Sequence, residues 1–239
     1  MTYTIIGRNP INGEIGIAIA TYSLAVGGTC PHISAAVGVC TSQASTNPAI
    51  GREVISNLIF GDSVELALEN ALSSDDYPLN RQVAAMTQSG EFAVHSGSNT
   101  RSFSGHLIGE NCLAVGNFLQ GKHVLESMVE GFENTAIVNL SDRLIGALLA
   151  GKDAGGQSGD GEVHLVERSA CIMTTKPDDA FPLGVRVDVS DDAVGELASI
   201  ADSYAEMHSY YLQRAVDPTD LPAQDEYVRQ LRGQSSQKL

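Results

Sequence analysis

Small and β-branched residues dominate positions 2–6, and Glu14–Thr21 repeats that character. Between the two runs, Asn9-Pro10-Ile11-Asn12-Gly13 supplies turn chemistry, so the chain is predicted to open with a β-hairpin. A third extended run, residues 35–41, is rich in valine and small side chains and reads as a strand buried on both faces. It leads through Gln43 to an Asn47-Pro48 turn.

Helical spacing then takes over. Val54, Ile55, Leu58 and Ile59 precede the break Gly61-Asp62, and Val64, Leu66, Ala67 and Leu68 follow it, which predicts two helices over residues 52–72 with Asp62 capping the second. Strands are predicted at 82–87, 91–95 and 112–115, the first two joined by Gln88-Ser89-Gly90. Lys122–Glu133 and residues 141–149 form a second amphipathic pair. A flexible loop from Gly155-Gly156 to Asp160-Gly161 precedes strand-like runs at 162–167, 170–174 and 184–189. Residues 191–214 carry Val194, Leu197, Ile200, Tyr204, Met207 and Tyr211 along one side of a helix, and a tail with Pro218 and Pro222 follows, where little regular structure is expected.

Strands, helix pair, strands, helix pair, strands, linked by hairpins and not by βαβ alternation, predict an α+β sandwich of antiparallel sheets covered by helix pairs. No internal repeat or charge block marks a second domain. Residues 1–192 are expected to form one domain. Residues 193–239 add a helix and tail that either cover it or join two subunits in a homodimer.

Composition narrows the function classes. The 239 residues are 43% hydrophobic and 18% charged, which excludes a disordered chain, and 14 basic against 29 acidic side chains give a net charge of −15. Such a surface repels phosphate backbones and anionic lipid heads, so neither nucleic acid nor membrane is an expected partner. Arg8, Asn9 and Pro10 interrupt the amino-terminal apolar run, and no apolar window approaches the length of a membrane span. The cysteines at 30, 40, 112 and 171 show no zinc-site spacing and read as small buried residues, which fits a cytoplasmic protein. The scattered histidines offer no metal site, and no cofactor is expected.

Met1-Thr2 carries the first candidate chemistry. Loss of Met1 leaves Thr2 with a free α-amine beside its own hydroxyl, so nucleophile and base share one residue. An α-amine titrates near pH 7.7–8.0 in model compounds, leaving a usable unprotonated fraction at neutral pH. Threonine's branched Cβ also restricts χ1.

The opening Thr2-Tyr3-Thr4-Ile5-Ile6-Gly7-Arg8-Asn9-Pro10, followed by Gly13-Glu14-Ile15-Gly16-Ile17-Ala18, resembles the start of domain-of-unknown-function family 1028, placed by fold among the N-terminal-nucleophile (Ntn) hydrolases. Thr41, Gln43, Asn47 and Pro48 resemble a later segment of that family, as do His95-Ser96-Gly97, Gly105-His106, Gly116-Asn117-Phe118-Leu119 with Gly121, and Arg186-Val187-Asp188. The likeness covers residues 2–192. It implies a four-layer αββα sandwich, two antiparallel sheets between helix layers, with the N-terminal residue heading a central strand. The wider superfamily cleaves amide bonds. Two departures stand out: Asn9 replaces a usual Asp, and Gln157-Ser158-Gly159-Asp160-Gly161-Glu162 replaces the usual pattern after Gly155-Gly156.

Acyl transfer also needs a donor aimed at the developing oxyanion, and Asn117, on a glycine-flanked turn, is the leading candidate. Gln43 and Asn47 are candidates for that role or for substrate binding, Arg8 for a substrate carboxylate, and His95 and His106 for a cleft. Each also fits an ordinary structural hydrogen bond. Residues Gly116 to Lys122 superficially match a phosphate-binding loop, but His123 replaces the magnesium-ligating hydroxyl and the parallel core such a loop needs is not predicted. The expected function is therefore hydrolysis of an amide-type C–N bond in a small metabolite by Thr2. The alternative is a catalytically inactive small-molecule or partner-binding protein on the same fold.

Overall fold

The computed structural model describes residues 1–101, 103–133, 139–159 and 163–235. Along them run β1 (Thr2–Asn9), β2 (Glu14–Thr21), β3 (Pro31–Ser34) and β4 (Gly38–Ala44), then α1 (Pro48–Phe60) and α2 (Val64–Ser73). Next come β5 (Arg81–Thr87), β6 (Phe92–Ser96), β7 (Gly105–Gly109) and β8 (Cys112–Asn117), then α3 (Lys122–Glu133) and α4 (Leu140–Asp153). The chain continues through β9 (Gln157–Ser158), β10 (His164–Leu165), β11 (Ser169–Thr175), β12 (Leu183–Val187), α5 (Ala193–Val216) and α6 (Gln224–Ser235). The fold is mixed α+β, its sheets antiparallel: a six-stranded sheet in the order β12-β11-β2-β1-β8-β7, a four-stranded sheet β3-β4-β5-β6, and the pair β10-β9. None of the described helices is long and apolar enough to cross a membrane.

The period of two along β1 sorts its side chains. Tyr3 and Ile5, with Ala18 and Ala20 of β2, pack with Leu125, Met128, Phe132, Leu144 and Leu148 of α3 and α4. Ile6, with Ile15, Ile17 and Ile19, packs instead with Val39, Ala84 and Met86 of the four-stranded sheet. That sheet's other face carries Cys40, Val83 and Ala85 against Ile50, Val54, Ala67, Leu68 and Ala71 of α1 and α2. β1 is thus buried on both faces and lies between hydrogen-bonded neighbours. Gly7 and Gly16 sit opposite each other on β1 and β2, and a Cβ on Gly7 would overlap the Phe132 ring. The bare backbone lets α3 approach the sheet.

Several boundaries differ from the sequence reading. α1 begins at Pro48, four residues early, because Asn47 is its N-cap: its side chain accepts from the Ala49 amide at 3.1 Å. Ser63, not Asp62, caps α2, accepting from the Leu66 amide at 3.3 Å. The predicted strand at 35–41 is shifted to Gly38–Ala44, and β3 and β7 are short strands that the pattern missed. Of the run at 162–167, only His164–Leu165 pairs, and residues 160–162 lie outside the described residues.

Met1–Ala201 forms one compact unit and Asp202–Leu239 a second. Within the second, the supposed tail contains α6: the Tyr210 and Tyr227 rings lie 4.7 Å apart, the Tyr210 hydroxyl donates to the Pro222 carbonyl, and Arg229 pairs with Asp225 one turn away.

Candidate active site

Thr2 is the first residue of β1 and stands opposite Thr21 of β2 on one side and Asn117 of β8 on the other. Its side chain shares the face of Thr4 and Ile6, toward the four-stranded sheet, and it is 5% exposed. The Thr2 and Thr21 hydroxyl oxygens lie 3.0 Å apart. Thr21 gives its single proton to the Met1 carbonyl, so the Thr2 hydroxyl must donate to Thr21 Oγ1. The Ser23 amide also donates to Thr21 Oγ1, at 3.3 Å. Burial holds the Met1 α-amine well below its ordinary value, lowering it from 8.0 to about 6, with the nearby Cys30 thiol acting weakly in the opposite sense.

Beside Thr2, a row of buried polar side chains joins the two larger sheets. The Gly116 carbonyl can only accept, and Gln82 Nε2 donates to it at 2.9 Å, which fixes the orientation of that amide. Gln82 Oε1 must then accept, from Gln43 Nε2 at 2.8 Å and Asn117 Nδ2 at 3.0 Å. Gln43 Oε1 in turn accepts from the hydroxyls of Thr4 at 2.7 Å and Thr41 at 3.3 Å. Asn117 Oδ1 is left buried with no partner among the described residues. Asn117 is therefore the last residue of a strand and not part of a turn; the amide nitrogen an oxyanion would require already gives one proton to Gln82, while an acceptor oxygen stands open. Phe118 and Ala44, which follow Asn117 and Gln43, both lie in the left-handed backbone region without being glycine, at φ 57° and 68°. Such positions cost on the order of 1–3 kcal/mol each.

The remaining sequence candidates are dispersed. Gln43 is fully buried and occupied by the network. Arg8 lies about 20 Å along β1 from Thr2 at the rise of a strand, where it donates to Asn111 Oδ1 and the Gln88 carbonyl. Asn47 caps α1 and donates to Asp75. His95 Nε2 meets the Pro78 carbonyl at 2.8 Å, and His106 is exposed on β7. Leu119 of the supposed phosphate loop is buried in the core, and Lys122 pairs with Glu126. Among the described residues no group of three or more His, Cys, Asp or Glu side chains is arranged to hold a metal ion.

Sequence reasoning gave no site role to Thr4, Thr21, Thr41, Gln82 or Gln157. Gln157 is buried and accepts from the Tyr22 amide at 3.1 Å, next to Thr21. Parity was the available signal: Thr2 and Thr4 precede Ile6, Gln82 precedes Ala84 and Met86, and Asn117 follows Leu113 and Val115, each at core-facing positions.

A protein-family model described as "Family of unknown function (DUF1028)" matches residues 2–197. A crystal structure of a DUF1028 protein from Silicibacter pomeroyi is similar, with a TM-score of 0.76 and 31% identity over 85% of this chain and 88% of that one. Anbu (ancestral beta-subunit) from Yersinia bercovieri aligns over 92% of this chain and 98% of its own, with a TM-score of 0.39 and 13% identity. No curated protein matches the chain.

Proposed function

The chain belongs to the family of unknown function DUF1028, and from that footing we propose that it is an Ntn hydrolase, cleaving an amide-type C–N bond in a small metabolite with Thr2 as nucleophile once Met1 is removed. One observation carries the reading: Thr2 heads an inner strand with its hydroxyl 3.0 Å from that of Thr21, at a terminus whose amine is already desolvated. The three apolar clusters support reading the architecture as an αββα sandwich, with Thr2 between the sheets.

In the proposed reaction, Thr2 Oγ1 attacks the amide carbonyl carbon and its proton passes to the Thr2 α-amine. The tetrahedral intermediate collapses, the C–N bond breaks, and the resulting ammonium protonates the departing amine. Water, deprotonated by the same α-amine, then cleaves the acyl ester and releases a carboxylic acid. Asn117 Oδ1 suits an N–H of the freed amine, directing its lone pair toward Oγ1, and a backbone amide steadies the oxyanion. Thr21, relieved of the Met1 carbonyl, has its proton available to the nucleophile.

The test joins intact mass to turnover. The active protein should lack one methionine, and Thr2→Ala should keep the fold while abolishing amine release from hits of a thermal-shift metabolite screen. Full activity with Met1 retained refutes the α-amine mechanism. The non-catalytic alternative is favoured by one observation, that Met1 in place ties up Thr21 and leaves Thr2 5% exposed.

A further inference from the structure

Thr2 has a paired strand on each side, and each pairing leads into an aromatic ring carrying an arginine. On β2, Thr21 is followed by Tyr22, and the Arg168 guanidinium lies 5.4 Å from that ring's centroid. On β8, Asn117 is followed by Phe118, and the Arg101 guanidinium lies 5.2 Å from its ring. Backbone bonds fix both arrangements: the Arg168 amide donates to the Thr21 carbonyl at 2.8 Å, and the Phe118 amide donates to the Arg101 carbonyl at 3.2 Å. Guanidinium groups held over rings lose less freedom when they bind than free side chains do.

The Arg168 backbone thus stands one hydrogen bond from Thr21, the β2 partner of Thr2, in a chain whose net charge is −15. Arg168 makes no ion pair among the described residues. Its neighbour Glu167 is turned to the opposite face of the sheet, toward Gly156 and the ring of Tyr3. An acidic surface with a local unpaired guanidinium repels anions generally and admits them at one place.

Resting on the hydrolase reading, we propose that the substrate carries a carboxylate beside its scissile amide, as an N-acyl amino acid does, and that Arg168 holds that carboxylate. The planar guanidinium presents two parallel N–H donors matched to the two carboxylate oxygens.

The experiment is calorimetric titration of the full chain, its amino terminus established by intact mass, with N-acetyl-L-amino acids and with the corresponding N-acetyl amino-acid amides. The acids should bind at least about tenfold more tightly, the scale of a hydrogen bond to a charged group. Arg168→Gln should erase that preference, and Arg168→Lys, which keeps the charge, should restore part of it. Thr2→Ala should retain the preference. A preference retained in a protein that turns nothing over sinks the hydrolase reading and leaves the carboxylate site standing. Equal binding of the two series, binding of neither, or a preference unchanged in Arg168→Gln overturns the proposal.

Discussion

Thr21 holds the Met1 carbonyl with the same hydroxyl oxygen that receives the hydroxyl proton of Thr2. With Met1 present, the Thr21 proton is directed away from Thr2 Oγ1. On the proposed mechanism, loss of Met1 would free that proton for Thr2 Oγ1. Thr21→Val should therefore fold, since the two side chains have similar shape, and should lower turnover about 10- to 100-fold, the scale of one misplaced catalytic hydrogen bond. Single-turnover kinetics on the processed protein check this. Unchanged rates would remove Thr21 from the mechanism.

Turnover should fall on acidification, because the α-amine acts as a base only when neutral. Burial lowers the Met1 amine to about 6, and the Thr2 amine would lie at a more buried position. The pH profile of kcat/KM should rise to a plateau with a midpoint below the ordinary α-amine range near 7.7–8.0. A midpoint at or above that range contradicts the assignment.

A chain retaining Met1 should show the same titration as stability. Its amine binds a proton near pH 8.0 when unfolded and near about 6 when folded, so between those values the unfolded state holds more protons and stability rises with pH. The full span is worth roughly 2–3 kcal/mol, present above pH 8 and lost below 6. Urea unfolding at pH 5.5 and 8.5 measures it. Acetylating the α-amine should abolish that share of the difference.

Gln82→Ala should destabilise the protein by roughly 2 kcal/mol or more, since it orphans Gln43 Nε2 and Asn117 Nδ2 together and takes a donor from the Gly116 carbonyl. Equilibrium denaturation reads the loss, and a change within ~0.5 kcal/mol, as at an unremarkable surface site, would contradict the network.

Gly7→Ala should cost roughly 1–3 kcal/mol by forcing the Phe132 ring off the sheet. Pairing it with Phe132→Leu, which vacates ring volume, should recover part of that in a double-mutant cycle. Independent, additive effects would argue against the contact.

The opening hairpin was legible because its strands are rich in Thr and Ile and its turn is dense in Asn, Pro and Gly. β3 was not, since it is four residues long and starts at Pro31, and β7 is bounded by Gly105 and Gly109. α6 escaped because hydrophobic periodicity does not define it; acidic residues in its first turn, a surface ion pair and the Tyr227 ring do. Thr2 is a candidate from chain position and resemblance alone. Its surroundings could not: Thr4 and Gln43 are 39 residues apart, and Gln82 and Asn117 are 35 apart. Only the apposition of two sheets brings them together. Arg8 misled because proximity in sequence along a strand is separation in space.

Every link from Thr4 through Gln43 and Gln82 to Gly116 donates in one direction, and a carbonyl that cannot reverse terminates it. The amides therefore act as head-to-tail dipoles that reinforce one another, and none can flip without breaking the bonds on either side. A substitution at Thr4 should thus be felt at Asn117, although no hydrogen bond joins those two side chains directly. The polar row beside Thr2 arrives already polarised, with no reorientation left for an incoming ligand to bring about.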